Sequence, residues 1–279
     1  MTRHEAVRMA TKELEAAGHE AADFAARTIM AHVTDDDAGM VMLRADGPLA
    51  HQQSVAFDRL VGKVIEGVPL FRAIGVREFH GLDFAISSET LEPRDDTETL
   101  IEAVLAQSPQ LDSHFADLGT GSGIIAISLL HEMAQAKGVA TDVSDNALST
   151  TLENAVANGV ADRLSTTCGE WCEPLEGLFD FIVSNPPYIA SEVVDGLHPS
   201  VLNHDPRRAL DGGLDGLDAY RAILAEASDY LLPSGFLALE IGYDQADNVT
   251  ALAEENGWCR IALQRDLQGH DRALVFRPA

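Results

Sequence analysis

Asn185-Pro186-Pro187-Tyr188 is the stretch of this chain whose residue types best suit a reaction. It follows Phe179-Asp180-Phe181-Ile182-Val183-Ser184, an apolar run that reads as a buried strand. At a strand end, such a tetrapeptide suits methylation of a planar, weakly nucleophilic NH2 group. An amide or aromatic amine delocalises its nitrogen lone pair and attacks poorly. A site helps by accepting hydrogen bonds from both N–H groups and aiming the nitrogen at a methyl donor. The Asn185 side-chain oxygen can accept one of them. The Pro186 carbonyl can accept the other. Pro187 forces Pro186 into an extended conformation, and neither proline has an N–H to compete. Tyr188 offers a flat face to the planar group. Taken alone, the four residues equally describe a strand that runs into a proline-rich turn.

A second signal lies upstream. His114-Phe115-Ala116-Asp117-Leu118 reads as a short strand, Gly119-Thr120-Gly121-Ser122-Gly123 as a glycine-rich turn, and Ile124 to Leu130 as the opening of a helix. This is the nucleotide-binding corner of an open α/β sheet, where glycines let the backbone approach a ligand. No Lys follows the glycines, so the loop is not a P-loop. Ile124 stands where a third dinucleotide-type glycine would fall. The next strand, Gly138 to Val143, carries Asp142, 19 residues past Gly123. That spacing places a carboxylate on ribose hydroxyls; a strand-end acid in solvent is the plainer alternative. Turn, acid and Asn-Pro-Pro-Tyr together favour S-adenosylmethionine over a dinucleotide.

These motifs resemble the HemK/PrmC family, the glutamine N5-methyltransferases that modify peptide-chain release factors. The resemblance covers Gly75 to Phe79, Pro93-Arg94, Thr97-Glu98, Asp117 to Gly123, Asp142, Glu170-Trp171, Ser184 to Tyr188, Asp205-Pro206-Arg207 and Ala209 to Gly213. It implies that Asp117 and the Gly119, Thr120, Gly121, Ser122, Gly123 loop hold the methionine end of the donor. Asp142 would take the ribose, and Trp171 would pack near the adenine. Asn185, Pro186, Pro187 and Tyr188 would hold the acceptor glutamine. Where the family reads an apolar residue, Pro, Arg, Pro, this chain reads Glu92-Pro93-Arg94-Asp95, which bears on the rigidity of that segment. Asp205 and Arg207 either shape the pocket or touch the protein substrate, the alternative being a structural ion pair.

Net charge narrows the partners. The chain has 45 acids against 19 bases, a formal charge of -26, and Lys only at positions 12, 63 and 137. Such a surface repels phosphate backbones. This matters because adenine-methylating enzymes carry the same tetrapeptide and need a basic groove. No direct nucleic-acid binding is expected. Three cysteines cannot build a disulfide framework, and Cys168 and Cys172 read as two buried thiols rather than a metal site. No apolar run reaches the roughly 18 residues of a membrane span, and the N-terminus lacks a signal-peptide core. The expectation is a reduced, cytoplasmic protein without a metal.

The elements that position these residues follow from periodicity. Residues 1–68 read as a small helical bundle, with helices ending near Gly18, over Ala21 to Val33 and over His51 to Ile65. The acid run between Thr34 and Gly39 reads as a solvated cap and turn. Residues 69–92 form a hairpin linker, alternating from Phe71 to Ser88 and turning at His80-Gly81. Residues 93–279 alternate strand and helix, beginning with a helix capped by Asp95 or Asp96 and including a helix capped by Ser144 and a long one over Leu217 to Leu232. Strands follow over Phe236 to Ile241 and near Cys259 to Leu263 and Ala273 to Phe276. Alternation means a parallel sheet with helices on both faces. The resemblance implies the seven-stranded, Rossmann-like class I methyltransferase fold with an antiparallel strand near its end. It also implies transfer of a methyl group from S-adenosylmethionine to the glutamine of a Gly-Gly-Gln loop in release factors, the helical domain reading the protein partner. A ribosomal-protein glutamine and an adenine N6 are the alternative acceptors.

Overall fold

A computed structural model of the chain describes residues 1–36, 40–41 and 46–279. The chain divides into two compact units, Met1–Gly75 and Val76–Ala279.

The first unit is helical. Helices α1 (Arg3–Ala16), α2 (Ala22–Thr34), α3 (His51–Ile65) and the short α4 (Leu70–Ile74) pack on one another. Thr2 and Glu5 start α1 with a reciprocal capping box, which satisfies two donors the helix would leave unpaired. Ala6, Val7, Ala10 and Leu14 make the buried stripe of α1, while Met9 stays half exposed. Alanines of α2 leave room for Ile29, Met30, Phe57, Leu60 and Val64 to meet in the core. Asp35 ends α2 in the left-handed conformation, and Asp36 pairs with Arg3. The remainder of the acid run, residues 37–39, lies outside the described residues.

The second unit opens with a hairpin, β1 (Val76–Phe79) and β2 (Leu82–Ala85), turning through His80 and Gly81. Both turn residues have positive φ, as a tight two-residue hairpin turn requires. The hairpin begins at Val76 and not at Phe71, because residues 70–74 coil into α4 and Gly75, at φ 89°, stops it. Helix α5 (Glu98–Ala106) follows a 3-10 turn over Asp95–Thr97. Neither Asp95 nor Asp96 caps it, because each carboxylate is drawn to an arginine, Asp95 to Arg77 and Asp96 to Arg272.

The sheet has seven strands: β3 (His114–Leu118), β4 (Lys137–Asp142), β5 (Leu164–Cys168), β6 (Phe179–Ser184), β7 (Leu231–Glu240), β8 (Trp258–Arg265) and β9 (Asp271–Pro278). Their order is β5-β4-β3-β6-β7-β9-β8, parallel from β5 to β7, with β9 antiparallel to both neighbours. This is the open, Rossmann-like sheet with a reversed strand near its end that the sequence led us to expect. Helices α5, α6 (Ile124–Glu132) and α7 (Asp145–Ala157) cover one face. After the short helices α8 (Ser191–Val194) and α9 (Pro199–Leu202), α10 (Asp218–Glu226) and α11 (Ala246–Glu255) cover the other. Phe115, Phe181 and Phe236 occupy paired positions on three adjacent strands and stack, with centroids 5.0 and 5.1 Å apart. That aromatic column ties β3, β6 and β7 together beneath their carboxyl ends.

The long helix expected over Leu217 to Leu232 is shorter. It ends at Glu226, a 3-10 turn covers Ala227–Tyr230, and Leu231 already pairs with Phe179. Pro233, which has no N–H for the ladder, sits where the β6–β7 register shifts. The chain turns outward from β3 to β5 and then returns to the other side of β3 with β6. Ligands of open α/β sheets bind at such a switch point, outside the strand carboxyl ends.

Candidate active site

The glycine loop lies between the end of β3 and α6. Thr120 N donates to Thr141 O of β4 at 2.9 Å, which presses the loop against the neighbouring strand. Gly119, Gly121 and Gly123 have φ of 69°, 59° and 83°. A Cβ on Gly123 would stand 2.9 Å from Ile127 Cδ1 and Thr151 Cγ2, so only glycine lets α6 start there. No atom lies within 4 Å of a Cβ built at Gly121, where the loop faces open space. Asp117 sits behind this loop, fully buried, and does not line the cleft. Its Oδ2 accepts from Thr120 Oγ1 at 2.7 Å and from Ala126 N at 3.3 Å, while Oδ1 has no partner among the described residues. Burial pushes its carboxyl up to about 7, against the pull of those two hydrogen bonds.

Asp142 ends β4 on the cleft wall. Its Oδ2 accepts from Gly121 N at 3.0 Å and its Oδ1 from Ser144 N at 2.9 Å. Ser144 in turn caps α7 by accepting from Ala147 N. Asp142 therefore holds the loop and the next helix in register while facing the cavity. Trp171 also lines the cleft, in a left-handed turn at φ 45°. Thr141 Oγ1 donates to its carbonyl at 3.3 Å, and its ring passes Gly119. The two neighbouring thiols are not alike: Cys172 is buried, its thiol pushed up to about 12 mainly by that burial, but Cys168 is exposed on the strand end.

Asn185 and Pro187 reach the same cleft from the end of β6. Ser184 Oγ donates to Leu118 O at 2.7 Å and locks β6 to β3 one residue earlier. Asn185 Nδ2 donates to Thr97 Oγ1 at 3.1 Å, so its NH2 is engaged inside the protein. Pro186 is buried and lies off the cleft wall. Tyr188 does not line the cleft either; its hydroxyl donates to Glu240 Oε1 across a long 3.4 Å, and burial raises its pKa. Gln245 Nε2 donates to Tyr188 O at 3.0 Å. A Cβ on Gly212 would come within 2.6 Å of Pro187 O, so the segment from Asp211 to Gly216 packs backbone-to-backbone on the tetrapeptide.

The cleft between these elements has a volume of about 510 Å3, within the usual range for small-molecule sites. At its mouth Arg208 pairs with Glu89. Arg94 pairs with Asp205 at 2.7 Å, and Asp205 also accepts from Glu92 N. Arg207 pairs with Asp195 and Asp211. Asp205 and Arg207 thus form separate ion pairs and neither lines the cleft. The departures at Glu92 and Asp95 share one partner: Arg77 reaches Glu92 at 2.9 Å and Asp95 at 2.6 Å. An ionic clamp from the hairpin thereby fixes the segment that carries Pro93 and Arg94.

Sequence reasoning passed over Thr97, Gln245 and Glu240 as site residues. Glu240 did leave a signal, an acid inside the apolar run Phe236 to Ile241. Thr97 left only its place in the Thr97-Glu98 pair of the family resemblance, with no role attached, and Gln245 left none, since nothing in its spacing points to the tetrapeptide.

Comparison with known proteins shows which family and fold the chain shares. A family model described as "Methyltransferase small domain" matches residues 92–213, and one described as "PrmC N-terminal domain" matches residues 5–75. A release factor glutamine methyltransferase of Agrobacterium fabrum is 42% identical over 273 residues, covering 96% of this chain and 94% of its own length. One of Moorella thermoacetica is 39% identical over 278 residues, covering 99% and 98%. Among solved structures, the ribosomal protein L11 methylase of Lactobacillus delbrueckii subsp. bulgaricus superposes with a TM-score of 0.51 at 21% identity, over 71% of this chain and 93% of that one. That likeness establishes a shared methyltransferase fold.

Proposed function

We propose, for a chain that belongs to the release factor glutamine methyltransferase family, that it transfers a methyl group from S-adenosylmethionine to the side-chain amide nitrogen of the glutamine in the Gly-Gly-Gln loop of peptide-chain release factors. The observation that carries this reading is the Asn185 amide. One hydrogen of its NH2 is held by Thr97 Oγ1, and its oxygen accepts no hydrogen bond from the described residues. A lone acceptor on the cleft wall suits an incoming NH2 and not a carbonyl.

The residues present fit the donor. The open space at Gly121 and the positive φ along the loop admit a close ligand, and Asp142 keeps acceptor capacity beyond its two backbone donors. Gly119 to Gly123 would hold the methionine end, Asp142 the ribose and Trp171 the adenine side. Asp117 supports this from behind the loop. When bound, the donor supplies a methyl carbon already activated by its sulfonium, so a metal or a covalent intermediate has no task in the transfer.

The chain's own contribution is orientation. Asn185 Oδ1, on the cleft wall, accepts one amide hydrogen and turns the nitrogen lone pair toward the cleft, and the Pro186 carbonyl accepts the second where the glutamine side chain reaches behind that wall to the buried Pro186. Pro187 and Tyr188 keep that carbonyl in place, and Gln245 and Gly212 brace the tetrapeptide from behind. Positioning and fixed dipoles of this kind supply most of the rate enhancement when the electrophile is already activated. Among the described residues no helix is long and apolar enough to cross a membrane. We assign part of its recognition to the N-terminal helical unit, a separate body without chemistry-bearing motifs.

The test offers labelled S-adenosylmethionine with purified release factor, ribosomal proteins and DNA in parallel. Label in the release factor alone is the expected result. Label in DNA or in a ribosomal protein instead overturns the assignment.

A further inference from the structure

We propose that Thr151 is a positioning residue for the methyl donor: it fixes the peptide plane between Gly121 and Ser122 so that the Ser122 N–H faces the cleft. The proposal rests on the reading of the glycine loop as the holder of the donor's methionine end.

Thr151 lies on α7, fully buried, and is absent from the cleft wall that Gly121 and Ser122 line. Its Oγ1 donates to Gly121 O at 2.9 Å, 30 positions earlier in the chain. A Ser or Thr hydroxyl inside a helix commonly donates to the carbonyl four residues before it. The two preceding residues do so. Ser149 Oγ donates to Asp145 O at 2.9 Å, and Thr150 Oγ1 to Asn146 O at 3.1 Å. Thr151 gives its one proton to the loop instead. Its other branch also serves the loop, since Cγ2 would stand 2.9 Å from a Cβ on Gly123.

The direction of the Ser122 N–H follows from peptide geometry. In a trans peptide the N–H points opposite to the C=O of the same plane. Gly121 O turns to α7, so the Ser122 N–H points away from α7, toward the cleft. It has no acceptor among the described residues. The planes on either side are held by other groups. Gly121 N donates to Asp142 Oδ2 at 3.0 Å, and Ser122 O accepts from Asn154 Nδ2 at 2.8 Å. Gly121, at φ 59°, has no side chain to resist a flip of the plane that follows it. Thr151 is the group that resists it. The methionine end of the donor carries a carboxylate, which can accept from the N–H so presented, and an ammonium, which cannot.

The experiment compares wild type, Thr151→Val, Thr151→Ala and Thr151→Ser. Valine keeps the shape and the packed methyl but has no proton for Gly121 O. Alanine removes the hydroxyl without setting a methyl against that carbonyl. Binding of S-adenosylhomocysteine is measured by calorimetry. Binding of methylthioadenosine, which keeps the nucleoside and lacks the amino-acid end, is measured by competition. In Thr151→Val and Thr151→Ala, affinity for S-adenosylhomocysteine should fall on the order of tenfold, the scale of one hydrogen bond to a charged group. Affinity for methylthioadenosine should stay within about threefold of wild type. Thr151→Ser, which keeps the hydroxyl, should bind both ligands within about threefold of wild type. S-adenosylhomocysteine affinity within about threefold of wild type in both Thr151→Val and Thr151→Ala overturns the proposal. So does an equal loss for the two ligands, since that marks a general disturbance of the site. The wild type separates the two readings: if it binds neither ligand, the donor site itself is wrong, whereas a wild type that binds both beside unchanged variants refutes only the positioning role.

Discussion

Asn185 Nδ2 lies 3.1 Å from Thr97 Oγ1, so a residue at the entry of α5 holds the clamp residue at the end of β6, 88 positions later in the chain. The contact engages one of the two amide hydrogens, and the side-chain oxygen has no donor among the described residues. Asn185→Ala should therefore lower turnover on the order of 10²–10³-fold, the effect of removing one oriented group at a reacting centre. Donor affinity should change far less. Single-turnover rates and donor titrations on the same preparation check this, and a parallel loss of both would make Asn185 a cofactor or structural residue.

Asp142 should govern donor affinity. A charge-assisted contact to ribose is worth roughly 1.5–3 kcal/mol, so Asp142→Ala should weaken S-adenosylmethionine binding about ten- to a hundredfold. The substitution also frees Gly121 N and Ser144 N, so the variant's circular dichroism and melting must accompany the calorimetry. A folded variant with unchanged affinity would remove the ribose role.

Much of this was legible in the sequence for a physical reason. The glycine loop and the tetrapeptide lie just beyond strand ends and Asp142 at one, where local pattern and chemistry coincide. Ser144, a short polar residue before an amphipathic run, announced its cap in the same way. The supports were not legible because they depend on pairing between distant strands. Glu240 meets Tyr188 only once β7 lies beside β6, and Thr97 meets Asn185 only once the turn before α5 reaches the end of β6. Asp95 and Asp96 looked like caps because acids before an apolar run usually are. Arg77 and Arg272, which claim them, arrive from a hairpin and from β9. The break of the expected Leu217–Leu232 helix was hidden similarly, since Leu231 fits a helix face as well as it fits a rung opposite Phe179.

Asp117 gives a prediction about pH. In the folded chain burial raises its carboxyl to about 7, whereas in the unfolded chain it titrates at roughly 4. Between those values the folded state binds the extra proton, so stability falls as pH rises through that window and the loss is complete above about 7. Asp117→Asn keeps an acceptor for Thr120 and Ala126 but carries no charge beside Asp142. Its urea midpoint should lose less than that of wild type between pH 4 and pH 8. Curves that stay parallel across this window would contradict a raised Asp117.

The helical unit should contribute recognition and not chemistry. Each unit has its own buried core, so a chain starting at Val76 should still fold and bind donor. Its methylation of intact release factor should drop steeply, because remote contacts supply the binding energy that carries a loop glutamine into the cleft. The slow reaction on a Gly-Gly-Gln peptide should survive. Full activity of the shortened chain on the intact factor would remove this role.

The central claim is the identity of the methylated atom. Intact release factor, incubated with wild-type enzyme and labelled S-adenosylmethionine, should be digested and its Gly-Gly-Gln peptide fragmented by mass spectrometry. The account predicts one methyl group on the side-chain nitrogen of that glutamine, and none on a factor in which the glutamine is replaced. A methyl group on any other residue of the factor, or an unmodified factor beside methylated adenine in a nucleic-acid control, would contradict it.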